Sequence, residues 1–366
     1  MKSRVIIRHE RICMDYRKKF DDLLDTVIKE GASDLHIAPG RTPVIRVSGY
    51  LIPLTKKEIV LPEESEAIIK SLLSEEKYQI FLSNREIDFS WSHKGGNRFR
   101  CNAYFHGGVI GIAMRFIPKH VKGLLDLNLP PVLETFVDKQ QGFFIVVGPV
   151  GHGKTTTLAS MIEMINERRS EHIITIEDPI EYVYEPKKSV IDQREVGSDT
   201  KGFHEALSAA FRQDVDVILI GEMRDPETIS AAVTAAETGH LVFSTLHTNN
   251  AAQTIDRILD SFPANQQGQI RGQLAGCLAG IFSQRLVPRI SGGLIPAYEL
   301  LISNNAVSNL IRDGRVHEIN TVIETGLEQG MLDLNRSLAE LTRAGEITAD
   351  NARSYSFNPK GLDRII

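Results

Sequence analysis

Residues 143–155 constrain this chain more than any other stretch. Five apolar residues, Phe143–Val147, run directly into Gly148-Pro149-Val150-Gly151-His152-Gly153-Lys154-Thr155, and a helix-like segment, Thr156–Glu167, follows at once. The octapeptide fits the pattern GxxxxGKS/T. Strand, loop and helix in this order let backbone N–H groups converge on phosphate oxygens at the electropositive start of a helix. Glycines allow the tight turn, Lys154 is the type of residue that neutralises β- and γ-phosphates, and the Thr155 hydroxyl is the type that ligates Mg²⁺. Gly148, Pro149, Val150, Gly151, His152, Gly153, Lys154, Thr155 and Thr156 are therefore the candidate nucleotide-contacting residues. His152 fills a variable position of the pattern, so its imidazole is expected to face solvent.

Three further apolar runs, Ile173–Ile176, Val215–Ile220 and Leu241–Ser244, lack the alternation of a half-exposed strand. That pattern suits parallel strands covered on both faces by helices. In such a sheet the ligand lies beyond the carboxyl ends of the strands, where this sequence has Glu177-Asp178-Pro179 with Glu181, then Gly221-Glu222, then His247. Glu222 is the candidate for orienting and deprotonating a water; its alternative role is to favour the helix expected from about Pro226. Glu177 and Glu181 are candidates for holding Mg²⁺-bound or attacking water, Glu177 with Thr155 as the metal side, or else for accepting loop hydrogen bonds. His240 and His247 are seven positions apart, roughly 23 Å along a strand and on opposite faces, so they cannot share one task. His247 is expected beside the γ-phosphate, and His240 to be structural.

The chain has 366 residues, enough for two domains. Its net charge of -5 gives no global cationic field for nucleic acid. Cys13, Cys101 and Cys277 are too scattered for a disulfide framework or a cysteine-rich zinc site, which fits a reducing cytoplasm. No apolar run approaches the roughly 18 residues that suggest a membrane span, and the basic start, Met1–Lys19, reads as a solvated extension. The 3.6-residue spacing of Phe20, Leu23, Leu24, Val27 and Ile28 predicts a helix. Strands are expected at Leu35–Ala38, Val44–Val47, Tyr50–Leu54, Ile87–Ser92, Arg98–Phe105 and Ile110–Ile117, with a helical run from Glu63 to about Leu82 and a turn at Gly95-Gly96-Asn97. The expected organisation is an α+β domain over 1–117, a linker over 118–135 marked by Pro118, Gly123, Pro130 and Pro131, an α/β core over 136–288 and a helical appendage over 289–366. Helices are expected at Gln266–Val287, Asn305–Asp313, His317–Thr325, Leu334–Ala344 and Ala349–Ser354.

The blocks GPVGHGKT, ITIEDPIEYVY, VDVILIGEMRDPET and TGHLVFSTLHTNNA, with ASDLHI and RFRCNAYFHGG upstream, resemble in order the secretion-type ATPases of type IV pili and type II secretion. Similarity is strongest to the pilus-retraction members. The resemblance implies a PAS-like N-terminal domain, a RecA-like C-terminal ATPase domain, ATP with Mg²⁺ as cofactors, and a ring-shaped homohexamer. It also implies action on an inner-membrane platform protein and, through it, on pilin, from the cytoplasmic side of that membrane and without nucleic acid. N-terminal-domain arginines reach the phosphates in that family; the matching candidates are Arg100 and Arg115, with Arg98 as an alternative because it shares a strand face with Arg100. The retraction members carry an AIRNLIRE stretch, which here reads Ala306-Val307-Ser308-Asn309-Leu310-Ile311-Arg312-Asp313, with Ser308 in place of an arginine. The extension and secretion relatives carry a longer N-terminal region and a tetracysteine insertion, neither of which this sequence shows. A DNA-translocating motor and a nucleotide-gated scaffold are the alternatives from other classes.

Overall fold

The computed structural model describes residues 2–47, 50–117 and 121–366, with side chains from residue 16 onward. Pro118 of the expected linker, Met1, and the side chains of Lys2, Arg4, Arg8, Arg11 and Cys13 lie outside the described residues. The chain divides into two compact units, one formed by residues up to 120 together with Pro179–Val183, the other by the remainder.

The first unit opens with α1 (Lys2–Lys29), so the backbone of the expected extension continues into the predicted helix. β1 (Asp34–Ile37), β2 (Val44–Val47) and β3 (Tyr50–Pro53) follow, then α2 (Pro62–Leu72) and α3 (Glu75–Asn84), then β4 (Glu86–His93), β5 (Asn97–His106) and β6 (Val109–Ile117). The helical run expected from Glu63 is thus two helices, broken where Ser74 turns away in extended conformation and accepts a hydrogen bond from Lys77 N. The six strands form one antiparallel sheet in the order β3-β2-β1-β6-β5-β4. Phe20, Leu24 and Val27 of α1 are fully buried with Ile69, Phe81 and Phe99, each worth about 1.5–3 kcal/mol of apolar burial.

The second unit contains α4 (Glu134–Val137), β7 (Gly142–Val147), α5 (Lys154–Arg168), β8 (His172–Glu177), β9 (Val190–Glu195), α6 (Phe203–Ala210), β10 (Val217–Ile220), α7 (Pro226–Glu237), β11 (Leu241–Leu246), α8 (Ala251–Asp260) and α9 (Ala264–Cys277). β12 (Leu278–Pro288), β13 (Leu294–Ile302), α10 (Asn305–Arg312), α11 (Ile319–Thr325), α12 (Leu334–Arg343), α13 (Ala349–Tyr355) and α14 (Pro359–Leu362) complete it. Its sheet runs β13-β12-β7-β11-β10-β8-β9. β12 through β9 are parallel to their neighbours, and β13 is antiparallel to β12. Phe143–Val147 have no exposed surface, as a central strand covered on both faces requires.

Two expectations are corrected here. Gln266–Val287 is not one helix: α9 ends at Cys277, and β12 takes the rest of that run beside β7. Periodicity cannot separate a buried strand from a buried helix when Leu278–Phe282 is uniformly small or apolar, and pairing with β7 decides it. The segment after 288 is not purely helical either, since β13 closes the edge of the sheet before the four expected helices begin. β9 was also absent from the expected strands: Val190–Glu195 is mostly polar because it is an outer strand with exposed positions. Among the described residues no helix is long and apolar enough to cross a membrane.

Candidate functional site

The loop between β7 and α5 begins and ends on glycines that no other residue could replace without displacement. Gly148 has φ 147° and Gly153 φ 82°, values open to glycine but strained for side chains with a Cβ. A Cβ on Gly148 would meet Gln284 O at 2.5 Å, and one on Gly153 would meet Gln284 Nε2 at 2.9 Å. Gly153 also caps α5, leaving the first N–H groups of that helix directed at the loop. Lys154 is 7% exposed, and its Nζ donates to Gly148 O (2.8 Å) and Pro149 O (3.0 Å). The ammonium thus lies over the loop rather than out in solvent.

The same Nζ is 3.2 Å from His247 Nδ1, at the carboxyl end of β11. An ammonium can only donate, so Nδ1 accepts and the ring proton resides on Nε2. Nε2 in turn lies 3.7 Å from Glu222 Oε2, beyond the end of β10. Partial burial first, then the Lys154 ammonium, holds the imidazole below its usual pKa against the opposing pull of Glu222. Lys154, His247 and Glu222 therefore form a line across the carboxyl edge of three parallel strands. Glu222 also pairs with Arg224, which lies 3.9 Å from Asp178. Capping of α7 falls to Asp225, which accepts from Thr228 N at 2.7 Å, so the helix-start alternative for Glu222 is taken by another residue.

Glu177 is brought to the same edge but is only 5% exposed, accepting from Thr175 Oγ1 (2.6 Å) and Gln193 Nε2 (3.2 Å). Both donors lie on strands, Thr175 on β8 and Gln193 on β9, rather than in a loop. Glu181 falls in the first unit, where it pairs with Arg100 at 3.5 Å. Arg100 and Arg115 are register partners on β5 and β6 and so share a face; Arg115 Nε also donates to Asp34 Oδ1 at 3.0 Å. Arg98 donates to Ser90 Oγ. His240 Nδ1 bonds Ala235 O at 2.9 Å, closing α7 onto β11, in keeping with a structural role. The expectation for His152 is corrected: its Nδ1 accepts from Leu286 N at 2.8 Å, and its ring meets Tyr355 edge-on. A partner 134 positions away along the chain could not be read from the loop itself.

Several residues of the site carried no motif. Arg285, 5% exposed, donates to Asn249 O and Oδ1 at 3.2 and 2.8 Å, and Ser283 Oγ donates to Asn249 O, so β12 holds the loop that follows His247. Glu299 on β13 accepts from Ala251 N at the start of α8. Burial pushes the Glu299 carboxyl up to about 7, with Asp333 adding to the shift and the Ala251 bond and Arg285 opposing it. The folded state therefore holds this proton more tightly than the unfolded chain, whose value is 4.5. Its contribution to stability is complete below 4.5 and disappears as pH rises through about 7, amounting to about 3 kcal/mol. The urea midpoint is expected to fall between pH 5 and pH 8 in the wild type and to stay nearly level in Glu299→Gln, which keeps an acceptor for Ala251; an equally steep fall in the variant refutes this.

Among the described residues no three His, Cys, Asp or Glu side chains gather as a metal cluster. The donor set fits Mg²⁺ nonetheless, because that ion takes one or two protein oxygens and completes its shell with phosphates and water. Thr155, the second residue of α5, offers one such hydroxyl oxygen.

Residues 121–312 match the family described as type II/IV secretion system protein. The chain is 43% identical over 346 residues, covering 93% of it and 99% of the relative, to the type IV pilus retraction ATPase PilT of Pseudomonas aeruginosa. It is 44% identical over 322 residues, 88% of it and 86% of the relative, to a twitching motility protein of Neisseria gonorrhoeae. A crystal structure of the pilus retraction motor PilT with bound ADP superposes with a TM-score of 0.88 at 44% identity, covering 94% of this chain and 98% of that one. The ATPase DotB of Legionella pneumophila superposes with a TM-score of 0.77 at 28% identity, over 92% and 94% of the two chains. With its phosphate loop, its acid and its histidine assembled on one sheet edge, the chain belongs to the type II/IV secretion ATPases and is an ATPase of the PilT type.

Proposed function

We propose that this ATPase is Mg²⁺-dependent and drives type IV pilus retraction as a homohexameric ring, its first unit a PAS-like domain and its second a RecA-like one. The observation that carries the chemistry is the line Lys154, His247, Glu222 at 3.2 and 3.7 Å across the edge that bears the phosphate loop. Backbone N–H groups of Gly148 and Val150–Thr156 bind the phosphates, Pro149 having none to offer, and Lys154 neutralises the β- and γ-phosphates. Mg²⁺, held by the Thr155 hydroxyl and the phosphates, supplies charge compensation when bound. Glu222 orients the attacking water and takes its proton, while the neutral imidazole of His247, with its proton on Nε2, faces the γ-phosphate. Glu177 serves by fixing the turn at the end of β8. Arg100 and Arg115 supply the guanidinium groups for the charge that develops on the phosphates, a reading supported by their shared strand face.

Retraction is supported over extension and secretion by extent of similarity. The chain spans 99% of the retraction ATPase but 26–54% of three type II secretion E proteins. The platform protein and pilin are the proposed partners, from the cytoplasmic side of the inner membrane. In a deletion strain of the source organism, this chain is expected to restore twitching, and Lys154→Ala to leave surplus, non-retracting fibres; loss of fibres in the deletion strain refutes retraction in favour of extension.

A further inference from the structure

Gln284 of β12 touches both ends of the phosphate loop. Its main-chain oxygen occupies the space a Cβ on Gly148 would need, and its side-chain nitrogen the space a Cβ on Gly153 would need. The side chain is 3% exposed and engaged at both polar atoms: Nε2 donates to His152 O at 2.9 Å, and Oε1 accepts from Thr157 Oγ1 at 2.7 Å. Thr157 is on the first turn of α5 and is itself buried. These two bonds determine which way the amide faces, since only the NH₂ can donate to a carbonyl and only the oxygen can accept from a hydroxyl.

We propose that Gln284 is a positioning residue for phosphate binding, holding the peptide between His152 and Gly153 so that the Gly153 N–H faces away from β12 and into the loop. The reason is geometric. In a planar trans peptide the C=O and the following N–H point in opposite directions, so a carbonyl pinned on Gln284 aims the next N–H to the other side. Gly153, on the C-terminal side of this peptide, is at positive φ and has no Cβ to resist a flip, and a flipped peptide presents a carbonyl oxygen where a phosphate requires a donor. The bond from Leu286 N to His152 Nδ1 ties the same residue to the same strand, but by its side chain, and so leaves the peptide free to rotate. Gln284 acts through the loop, its two polar side-chain atoms being taken by His152 and Thr157.

The inference rests on the nucleotide-binding reading of the loop, and ADP titrated calorimetrically into the full-length chain tests the two separately. Wild type is expected to bind ADP and Lys154→Ala to lose it; wild type that does not bind overturns that reading. Gln284→Met, which fills the volume without a donor, is expected to lose about tenfold in ADP affinity. Gln284→Glu, which keeps the acceptor for Thr157 but sets a second oxygen against His152 O, is expected to lose about a hundredfold. KM for ATP rises in step while kcat changes little, as for a contact made equally in ground and transition states. The order Gln, then Met, then Glu at near-constant melting temperature supports orientation of the peptide. Binding by both variants within twofold of wild type, or equal loss in Met and Glu, overturns it. Should both Gln284 variants fail to fold, Thr157→Val releases the far side of the amide: a severalfold rise in KM with kcat retained supports the inference, and an unchanged KM overturns it.

Discussion

Glu222→Gln is expected to lower the turnover of ATP hydrolysis by about 10²–10⁴-fold while leaving ADP affinity within about twofold, the range for removing a general base that does not hold the nucleotide. The substitution preserves shape and keeps an acceptor for Arg224, so the end of β10 has no cause to move. What it removes is the negative charge that faces His247 Nε2 at 3.7 Å and could take a proton from water. Steady-state phosphate release alongside ADP titration measures the two quantities. A variant that keeps more than a tenth of wild-type turnover would show that another group accepts the proton, and Asp178, across Arg224, would be the next to test. Because Glu222 opposes the depression of the His247 pKa, the variant's imidazole is also expected to titrate lower than the wild type's, a shift readable by NMR of the ring.

Lys154→Ala is expected to cost more, with ATP affinity reduced by about 10²–10⁴-fold and hydrolysis lost with it. Two charge-assisted hydrogen bonds to phosphate, at about 1.5–3 kcal/mol each, account for that range. The ammonium contacts Gly148 O, Pro149 O and His247 Nδ1, so its removal also frees the loop carbonyls and relieves the imidazole of an adjacent positive charge. The His247 pKa is therefore expected to rise towards its ordinary range in Lys154→Ala, opposite in sign to the shift in Glu222→Gln. Lys154→Met, which retains the buried stem, is expected to match the alanine variant in affinity and to melt closer to wild type. Nucleotide binding by Lys154→Met at near-wild-type strength would mean that the backbone alone grips the phosphates.

The parts of the fold and site visible in the residue string share one property: their determinants are close together in the chain. Phe143–Val147, the glycines after it and α5 are contiguous, so strand, loop and helix could be recognised together. Strand ends placed Glu222 and His247 on one edge because parallel strands in register carry their carboxyl ends to the same side, and the register of β10 with β11 delivers that. Periodicity misread β12 as helix, since a run buried on all sides carries no alternation for either period to claim.

The residues that shape the loop from behind were beyond reach for a different reason. Gln284 and Thr157 are 127 positions apart, Gln284 and His152 O 132, and nothing in SQRLVP announces which strand it will lie beside. Sequence by itself determined the chemistry: a GxxxxGKT loop between an apolar strand and a helix has one dominant use, because few other residue orders let main-chain N–H groups surround a phosphate. Only the tertiary structure decided that β12 packs against β7 and so puts Gln284 behind the phosphate loop, that Glu177 turns inward to Thr175 and Gln193, and that Glu181 joins the first unit, where it pairs with Arg100. Apart from the Thr175 contact, which is local to β8, each of these joins residues distant in the chain and is set by which buried surfaces fit together rather than by any local preference of the residues involved.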